Sequence, residues 1–322
     1  MSILVFTENW DGKFKKLTAE LVSYAASLAG MTGGEVTALS IGNVDQDELS
    51  TLGNFGASRV LSVENAPRGL DTQLYSDIIA AAVEKTGAGI VVLAHNNTGK
   101  GVAPRLSVKL KSGLASGVTG LPESTDPVIV TKKVFSGKAF GRVKILTPVA
   151  ILTLSQNSFE VRETGGTAQV ESFDPGIDLN TGKTRISNVH KQEGKLLLSD
   201  AEVVVSGGRG MKSPDNWGSI EELAEVLGAA TACSRPVSDE GWRPHEEHTG
   251  QTGKIIAPNL YLAFGISGAI QHLAGVSSSK CIVAVNTDKD APIFEAADYG
   301  IVGDALKVLP QLIEEIRAAR SQ

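Results

Sequence analysis

Up to about residue 125, short apolar segments alternate with segments of helical spacing, and this alternation limits the folds open to the chain. Segments of strand length and composition are Ile3–Thr7, Val36–Ile41, Arg59–Val63 and 89–94. Helices are predicted at 17–28, 73–85 and 102–110. Strands that are joined through helices pair in parallel with right-handed crossovers. The pattern therefore predicts an α/β domain built on a parallel sheet.

Between residues 127 and 170 the pattern becomes β-rich. Strands are predicted at 128–135, 139–146, 150–154 and 159–163, with a hairpin turn at 136–138. We expect these to be antiparallel strands that extend the first sheet. The polar segment 174–195 has too few apolar residues to pack and predicts a connection between domains. The predicted domains are therefore 1–190 and 191–322.

The second domain has the same strand and helix pattern as the first. Its predicted strands are 201–206, 260–265, 280–285 and 299–302, and its predicted helices are 220–227 and about 305–320. The halves share a class but no obvious internal repeat. We expect a doubly wound α/β domain.

Composition excludes several functional classes. The net charge is -6 and aromatic residues make up 5%, which argues against a nucleic-acid-binding surface. No apolar run reaches the ~18 residues of a membrane span, and the first residues read as a buried strand rather than a signal peptide. Cys233 and Cys281 lie far apart, so neither a disulfide framework nor a paired-cysteine metal site is expected. These features predict a soluble, cytoplasmic protein without direct membrane insertion.

Glycine is abundant, with 35 of 322 residues against a usual share of ~7%, and it clusters after predicted strands. Gly208-Arg209-Gly210 fits either a tight strand-to-helix turn or a ligand loop, and the arginine favours an anion-binding loop. Gly99-Lys100-Gly101 and Gly253-Lys254 lack the Ser/Thr of a phosphate-binding Walker loop. His245 and His248 are three residues apart, which favours a solvated loop over a helical zinc motif.

The segment from Thr249 to His272 carries the strongest signal for a ligand. A polar glycine-containing loop precedes a strand, and Ser267 is predicted to cap a helix that begins with Gly268. A helix N-terminus after a parallel strand suits a pyrophosphate. His272 lies one turn inside that helix, so we expect it to contact a ligand rather than to be a surface histidine.

These segments together resemble a known family. The runs 206–210, 233–235, 250–254, 267–272, 285–288 and 292–302 closely resemble the α subunit of electron transfer flavoproteins. The similarity is dense from about residue 201 to 310. It implies a flavodoxin-like, FAD-binding second domain and a first domain that contacts a β subunit. It also implies a redox carrier with no catalytic residues and no metal. Its donors would be flavin dehydrogenases, such as the acyl-CoA dehydrogenases of fatty acid β-oxidation, and its acceptor a membrane quinone reductase.

The resemblance also implies which residues hold FAD. They are Arg209, Ser234, Arg235, Thr249, Gly250, Gln251, Thr252, Ser267, Gly268, Ala269, Ile270, Gln271, His272, Asn286, Asp304 and Ala305. Within this set, Arg235 is expected against the isoalloxazine, Thr252 near flavin N5 and His272 near the C2 carbonyl. Residues 249–252 are expected along the flavin and its ribityl chain, and residues 267–271 on the pyrophosphate side. Asn286, Asp304 and Ala305 are expected at the adenosine end. Thr249 and Ala305 depart from the residue types common in the family.

Two other functions compete with the carrier. One is a flavin-dependent oxidoreductase subunit with its own substrate, which would need an acid/base group beside the flavin. The other is a nucleotide-binding sensor, which would bind AMP or ATP in place of FAD. For Arg235 the alternative to a flavin contact is a pairing with a carboxylate at the subunit interface.

Overall fold

The computed structural model describes residues 1–66, 69–135, 137, 139–182, 184, 186–188 and 196–320. The chain divides into two compact units, Met1–His190 and Lys191–Gln322. Positions 136 and 138 of the predicted hairpin turn lie outside the described residues, as do 183, 185 and 189–195 of the predicted connection. Among the described residues, no helix is both long and apolar enough to cross a bilayer.

The first unit is built around a ten-stranded sheet. The strands of this unit are β1 (Ile3–Thr7), β2 (Asn9–Trp10), β3 (Lys13–Phe14), β4 (Val36–Ile41), β5 (Arg59–Val63), β6 (Ile90–Ala94), β7 (Gly113–Val118), β8 (Ser124–Thr125), β9 (Val128–Val134), β10 (Ala139–Ile145), β11 (Ala150–Leu154) and β12 (Gln169–Ser172). Its helices are α1 (Lys16–Thr32), α2 (Gln46–Ser50), α3 (Thr72–Thr86) and α4 (Asn97–Leu110). Nine of the ten strands follow the order β10-β9-β7-β11-β6-β1-β4-β5-β12, and the tenth, β8, pairs with β9. β2 and β3 form a separate two-stranded sheet.

Both faces of this sheet are covered, which explains why its central strands β1, β4, β6 and β11 are buried throughout and mostly apolar. Successive side chains of β1 alternate between two cores, with Ile3 and Val5 in one and Leu4 and Phe6 in the other. Residues of α1 complete the first core, and residues of α3 and α4 complete the second. The predicted parallel α/β domain is confirmed.

The antiparallel direction expected for the strand at 150–154 is wrong. β11 is parallel to both β6 and β7 and lies inside the sheet. The antiparallel pairs among the described strands of this sheet are those that β9 makes with β7, β8 and β10. All five residues of β11 are buried. An uninterrupted buried run is typical of a central parallel strand and not of an antiparallel extension.

The predicted strand at 159–163 is also wrong, because side chains of α1 bind its backbone. The N–H groups of Asn157, Ser158 and Phe159 donate to the buried Glu20 carboxylate at 3.0, 2.9 and 3.0 Å. Further along, Ser23 Oγ accepts from the N–H of Arg162 at 3.0 Å. A backbone held by side chains in this way has no need of a neighbouring strand.

The second unit contains a five-stranded parallel sheet. Its strands are β13 (Val203–Gly207), β14 (Ala230–Cys233), β15 (Leu260–Phe264), β16 (Cys281–Asn286) and β17 (Tyr299–Val302). Its helices are α5 (Gly218–Leu227), α6 (Arg235–Asp239), α7 (Ile270–Val276), α8 (Ile293–Ala296) and α9 (Ala305–Arg320). The order β14-β13-β15-β16-β17 is 2-1-3-4-5 along the chain, the flavodoxin-like order. The predicted doubly wound, flavodoxin-like fold is confirmed.

The Glu20 contacts generate a stability prediction. Glu20→Ala should lower the free energy of unfolding of the first unit by about 3 kcal/mol, because it leaves buried N–H donors without an acceptor. Glu20→Gln keeps one acceptor oxygen and should cost less. Urea unfolding followed by fluorescence measures both, with the exposed Glu84→Ala as control. Equal midpoints for Glu20→Ala and Glu84→Ala would contradict this role.

Candidate cofactor site

The predicted site residues follow the carboxyl ends of the five strands of the second sheet. Arg209 follows β13, and Ser234 and Arg235 follow β14. The residues 267–272 follow β15, Asn286 ends β16, and Asp304 and Ala305 follow β17. In an open α/β sheet, ligands bind at this edge, where the connections leave in opposite directions. Here that point lies between β13 and β15, which are neighbours in space.

The loops after β13 and β15 are packed directly against each other. The N–H of Gly208 donates to the Phe264 carbonyl at 2.9 Å, and the N–H of Gly210 donates to the Gly265 carbonyl at 3.0 Å. A Cβ on Gly265 would stand 2.7 Å from the Cα of Gly210. The glycines after these strands therefore allow contact between the two loops themselves.

The 249–252 segment reaches the same edge through backbone pairing. His248 forms a parallel bridge with Cys233, the last residue of β14. The N–H of Thr249 donates to the Cys233 carbonyl at 3.0 Å. The N–H of Gln251 then donates to the Gln271 carbonyl at 2.7 Å. Thr249 is fully buried, whereas Gln251 and Thr252 are exposed. The structure thus brings the loop and the start of α7 together.

The helix at the predicted pyrophosphate position starts later than expected. α7 begins at Ile270, and Ala269 rather than Ser267 occupies its cap position without a capping side chain. The Ser267 carbonyl instead accepts from the N–H of Ile293 at 3.0 Å. Gly268 has φ +82, and a Cβ there would lie 2.4 Å from the nitrogen of Ile293. The chain between β15 and α7 is therefore a loop held against α8.

A substitution at Gly268 would not be a specific test of ligand binding. A valine there meets the protein's own backbone and an unfavourable φ, so loss of ligand binding would not isolate ligand contact. Ile270 is a better probe of this loop, because its side chain is 71% exposed at the first position of α7.

Two arginines supply exposed positive charge at this edge. The Arg235 side chain is 63% exposed, and its Nε lies 3.2 Å from the Asp239 carboxylate one turn along α6. The Arg209 side chain is 66% exposed, with an NH1 group 3.8 Å from the Glu240 carboxylate. Exposed pairs of this kind are weak. Both guanidinium groups can therefore exchange their present partners for an anion.

His272 is buried and carries no charge at neutral pH. Its Nε2 lies 2.8 Å from the hydroxyl of Tyr261, which is itself fully buried. Burial lowers the pKa of His272 to about 4, with a smaller lowering by His248 and an opposing contribution from the Thr249 backbone. A positive charge on this histidine is therefore not part of the site, and positive charge near a flavin would come from the arginines.

The residues expected at the adenosine end have protein partners. Asn286 donates from Nδ2 to the Ile266 carbonyl at 2.9 Å. Asp304 accepts from the N–H of Leu306 and from Lys212 Nζ at 3.0 and 2.8 Å, and Lys212 lowers the pKa of Asp304. Ala305 is buried in the second core of the unit. Asn286 and Asp304 thus stabilise the loops at this edge.

Tyr261 and Lys212 are two residues of this region that the sequence patterns do not indicate. Tyr261 lies in the apolar strand β15, where its ring reads as core packing. The available signal is that a buried tyrosine hydroxyl needs a hydrogen-bond partner. Lys212 lies in the loop after β13, and nothing in its local sequence indicates the contact with Asp304, which follows β17. Within the ranges described, no three His, Cys, Asp or Glu residues come together as a metal site.

A cavity of about 310 Å³ lies elsewhere in the second unit. Among its lining residues are Leu196, Glu221, Glu225, Glu246 and Glu247. The carboxylates make this cavity unsuitable for an anionic cofactor.

Comparison with known proteins covers both units. The family model "Electron transfer flavoprotein domain" matches residues 3–177, and "Electron transfer flavoprotein FAD-binding domain" matches 197–277. The chain belongs to the family of electron transfer flavoprotein α subunits. The resemblance seen in the sequence is thereby confirmed, with FAD as the cofactor of the second unit.

Three named relatives each match at least 80% of the chain. Electron transfer flavoprotein subunit alpha from Bacillus subtilis is 38% identical over 319 residues, 98% of this chain and 97% of its own length. The subunit of the same name from Syntrophomonas wolfei is 38% identical over 315 residues, 97% and 98% of the two chains. Protein FixB from Escherichia coli is 38% identical over 265 residues, 80% and 83%.

The residues at this edge fit FAD. Two exposed guanidinium groups suit an anionic cofactor, and the loop 267–269 lies beside the N-terminus of α7. The Nδ1 of His272 is buried and meets no acceptor at hydrogen-bond geometry among the described residues, although the Thr249 backbone is close enough to interact with the ring. A buried polar atom without a partner is costly unless a ligand or water satisfies it.

The burial of His272 predicts a pH dependence of stability. The unfolded chain takes up a proton near pH 6.5, but the folded chain does so only near its pKa of about 4. Stability should therefore fall as pH falls through this window, by roughly 2 kcal/mol between pH 7 and 5. Denaturant unfolding of His272→Gln should lack this part of the slope.

The exposed histidine His245 provides the control, because His245→Gln should retain the full slope. An unchanged slope in His272→Gln would show that its imidazole is not held neutral by the fold.

Proposed function

We propose that this chain is the α subunit of a heterodimeric electron transfer flavoprotein, with FAD bound at the carboxyl edge of the second sheet. The observation that supports this most strongly is the convergence of separate segments at one edge. Four separate segments lie at the carboxyl ends of β13, β14 and β15, and they contribute Arg209, Ser234, Thr249 and Ser267. On this proposal residues 191–322 hold FAD and residues 1–190 contact a β subunit.

When bound, FAD supplies the ability to accept and pass on electrons. The chain's residues bind and orient it. The backbone of 267–271 receives the pyrophosphate, with Gly250, Gln251 and Thr252 along the flavin and its ribityl chain. Arg235 holds positive charge by the isoalloxazine, and Asn286, Asp304 and Ala305 support the adenosine end. Of the buried groups, Tyr261 and His272 bind each other, which suits a carrier better than an enzyme with its own acid/base residue.

The proposal extends to partners and location. The donors are flavin dehydrogenases such as the acyl-CoA dehydrogenases of fatty acid β-oxidation, and the acceptor is a membrane quinone reductase. On this proposal the protein works in the cytoplasm and docks transiently on its acceptor.

Co-expression with the β subunit tests this function. The purified heterodimer should be yellow, contain FAD, and pass electrons from a reduced acyl-CoA dehydrogenase to a quinone reductase. It should turn over no acyl-CoA without a dehydrogenase. Bound AMP or ATP in place of FAD would indicate a sensor, and dehydrogenation without a partner would indicate an enzyme.

The chain expressed alone should lose most of its FAD. A site completed by a second subunit leaves the flavin partly exposed, and a ligand that is lost no longer stabilises the folded state. Size-exclusion chromatography and the absorbance ratio of flavin to protein measure this against the heterodimer. A monodisperse monomer with one FAD per chain would contradict the requirement for the β subunit.

Ile270 tests the pyrophosphate position through charge. Ile270→Glu should weaken FAD binding roughly tenfold, because a carboxylate at the start of α7 repels the pyrophosphate. The same carboxylate favours the helix N-terminus, so stability should not fall. Ile270→Gln, nearly equal in shape but neutral, is the matched control. Fluorescence titration of the deflavinated heterodimer gives both affinities, and equal affinities would move the pyrophosphate away from α7.

Substitutions of Arg235 and Asp239 should shift the reduction potential of the flavin in opposite directions. Arg235→Ala should lower the first one-electron reduction potential, because reduction adds negative charge to the flavin. A charge about 4 Å away and exposed to water contributes about 1 kcal/mol, or ~40 mV. Asp239→Asn frees the guanidinium and should shift the potential upward. Unchanged potentials in both variants, with FAD bound, would exclude this role for Arg235.

A further inference from the structure

Tyr261 connects the core of the second sheet to His272. It is the second residue of β15, it is fully buried, and it lies in register with Val204 of β13. Its hydroxyl is 2.8 Å from Nε2 of His272, and the two rings are 6.1 Å apart at 46°. A residue of the central strand therefore directly contacts the first turn of α7.

The proton positions follow from the chemistry of the two groups. Burial raises the pKa of Tyr261, with the Ser206 and Thr249 hydroxyls acting in the opposite direction, so the phenol keeps its proton. The imidazole is neutral and has one N–H and one acceptor nitrogen. Phenol is a stronger acid than neutral imidazole, and the imidazole nitrogen is the stronger base. The hydroxyl is therefore the donor, and Nε2 is the acceptor.

The geometry points to Tyr261 as a positioning residue that keeps the proton of His272 on Nδ1. Nδ1 is buried and meets no acceptor at hydrogen-bond geometry among the described residues, although the Thr249 backbone is close enough to interact with the ring. Its N–H is therefore the ring donor that His272 retains for a better-placed acceptor. This inference rests on the proposed function, in which FAD supplies that acceptor. His272 then contributes a neutral hydrogen bond of defined direction, and Tyr261 acts on FAD only through His272.

The first experiment measures where the proton is. We would label the histidine nitrogens of this chain alone and assemble it with an unlabelled β subunit. His272 is assigned among the five labelled histidines with His272→Gln, and 15N chemical shifts are recorded at pH 7. Nδ1 should show the shift of a protonated ring nitrogen and Nε2 that of an acceptor. Tyr261→Phe should remove this preference, whereas the exposed Tyr299→Phe should not. A native proton on Nε2 would overturn the inference.

The second experiment asks whether Tyr261 acts through His272. In the heterodimer, Tyr261→Phe should weaken FAD binding about fivefold, the usual effect of one hydrogen bond. The first reduction potential should fall as well. His272→Ala should have at least the same effect, and adding Tyr261→Phe to it should change neither quantity. Additive effects in the double variant would overturn the inference.

The two experiments separate this inference from the proposed function. If the wild-type heterodimer binds no FAD, the proposed function fails, while the nitrogen shifts still report whether Tyr261 controls the His272 proton. If FAD binds normally but the substitutions are additive, the carrier function stands and the role of Tyr261 fails. Far-UV circular dichroism of Tyr261→Phe checks that the isosteric change leaves the fold intact.

Discussion

The parallel pairing of β13 with β15 is the constraint on which the candidate site depends. The two strands run in register from Val203 opposite Leu260 to Gly207 opposite Phe264, so both end at the same edge. Their following loops then meet through backbone hydrogen bonds, as Gly208 and Gly210 show. Because β14 and β16 lie on opposite sides of this pair, their loops add to the same edge. Side chains far apart in sequence reach the same edge of the sheet in this way.

Electrostatics at this edge are divided between exposed and buried groups. The exposed Arg209 and Arg235 carry charge that solvent screens, and their ion pairs with Glu240 and Asp239 are weak. The buried Tyr261 and His272 are neutral, since desolvation opposes charge on both. The first pair suits attraction of an anion, and the second suits a hydrogen bond of defined direction.

Sequence patterns predicted elements that are long, apolar and regular. The strands Ile3–Thr7, Val36–Ile41, Arg59–Val63 and Ala150–Leu154 have the bounds expected, because each is a continuous run that is buried apart from the partly exposed Arg59. β7 and β14 were missed: β7 contains two glycines among small residues, and β14 is a short Ala-Thr-Ala-Cys run. β12 was missed because half of its four residues are exposed and its sequence is polar. Apolar periodicity is weak in such segments.

The sequence by itself determined the fold class, the family and the loops that belong together, since apolar spacing and dense motifs are local properties of the chain. Only the tertiary structure decided that 150–154 is parallel, that 159–163 is held by Glu20, and that α7 begins after Ser267. It also decided that His272 is neutral and paired with Tyr261. The physical reason is that pairing partners, hydrogen-bond acceptors and desolvation come from residues distant in sequence, which periodicity does not encode.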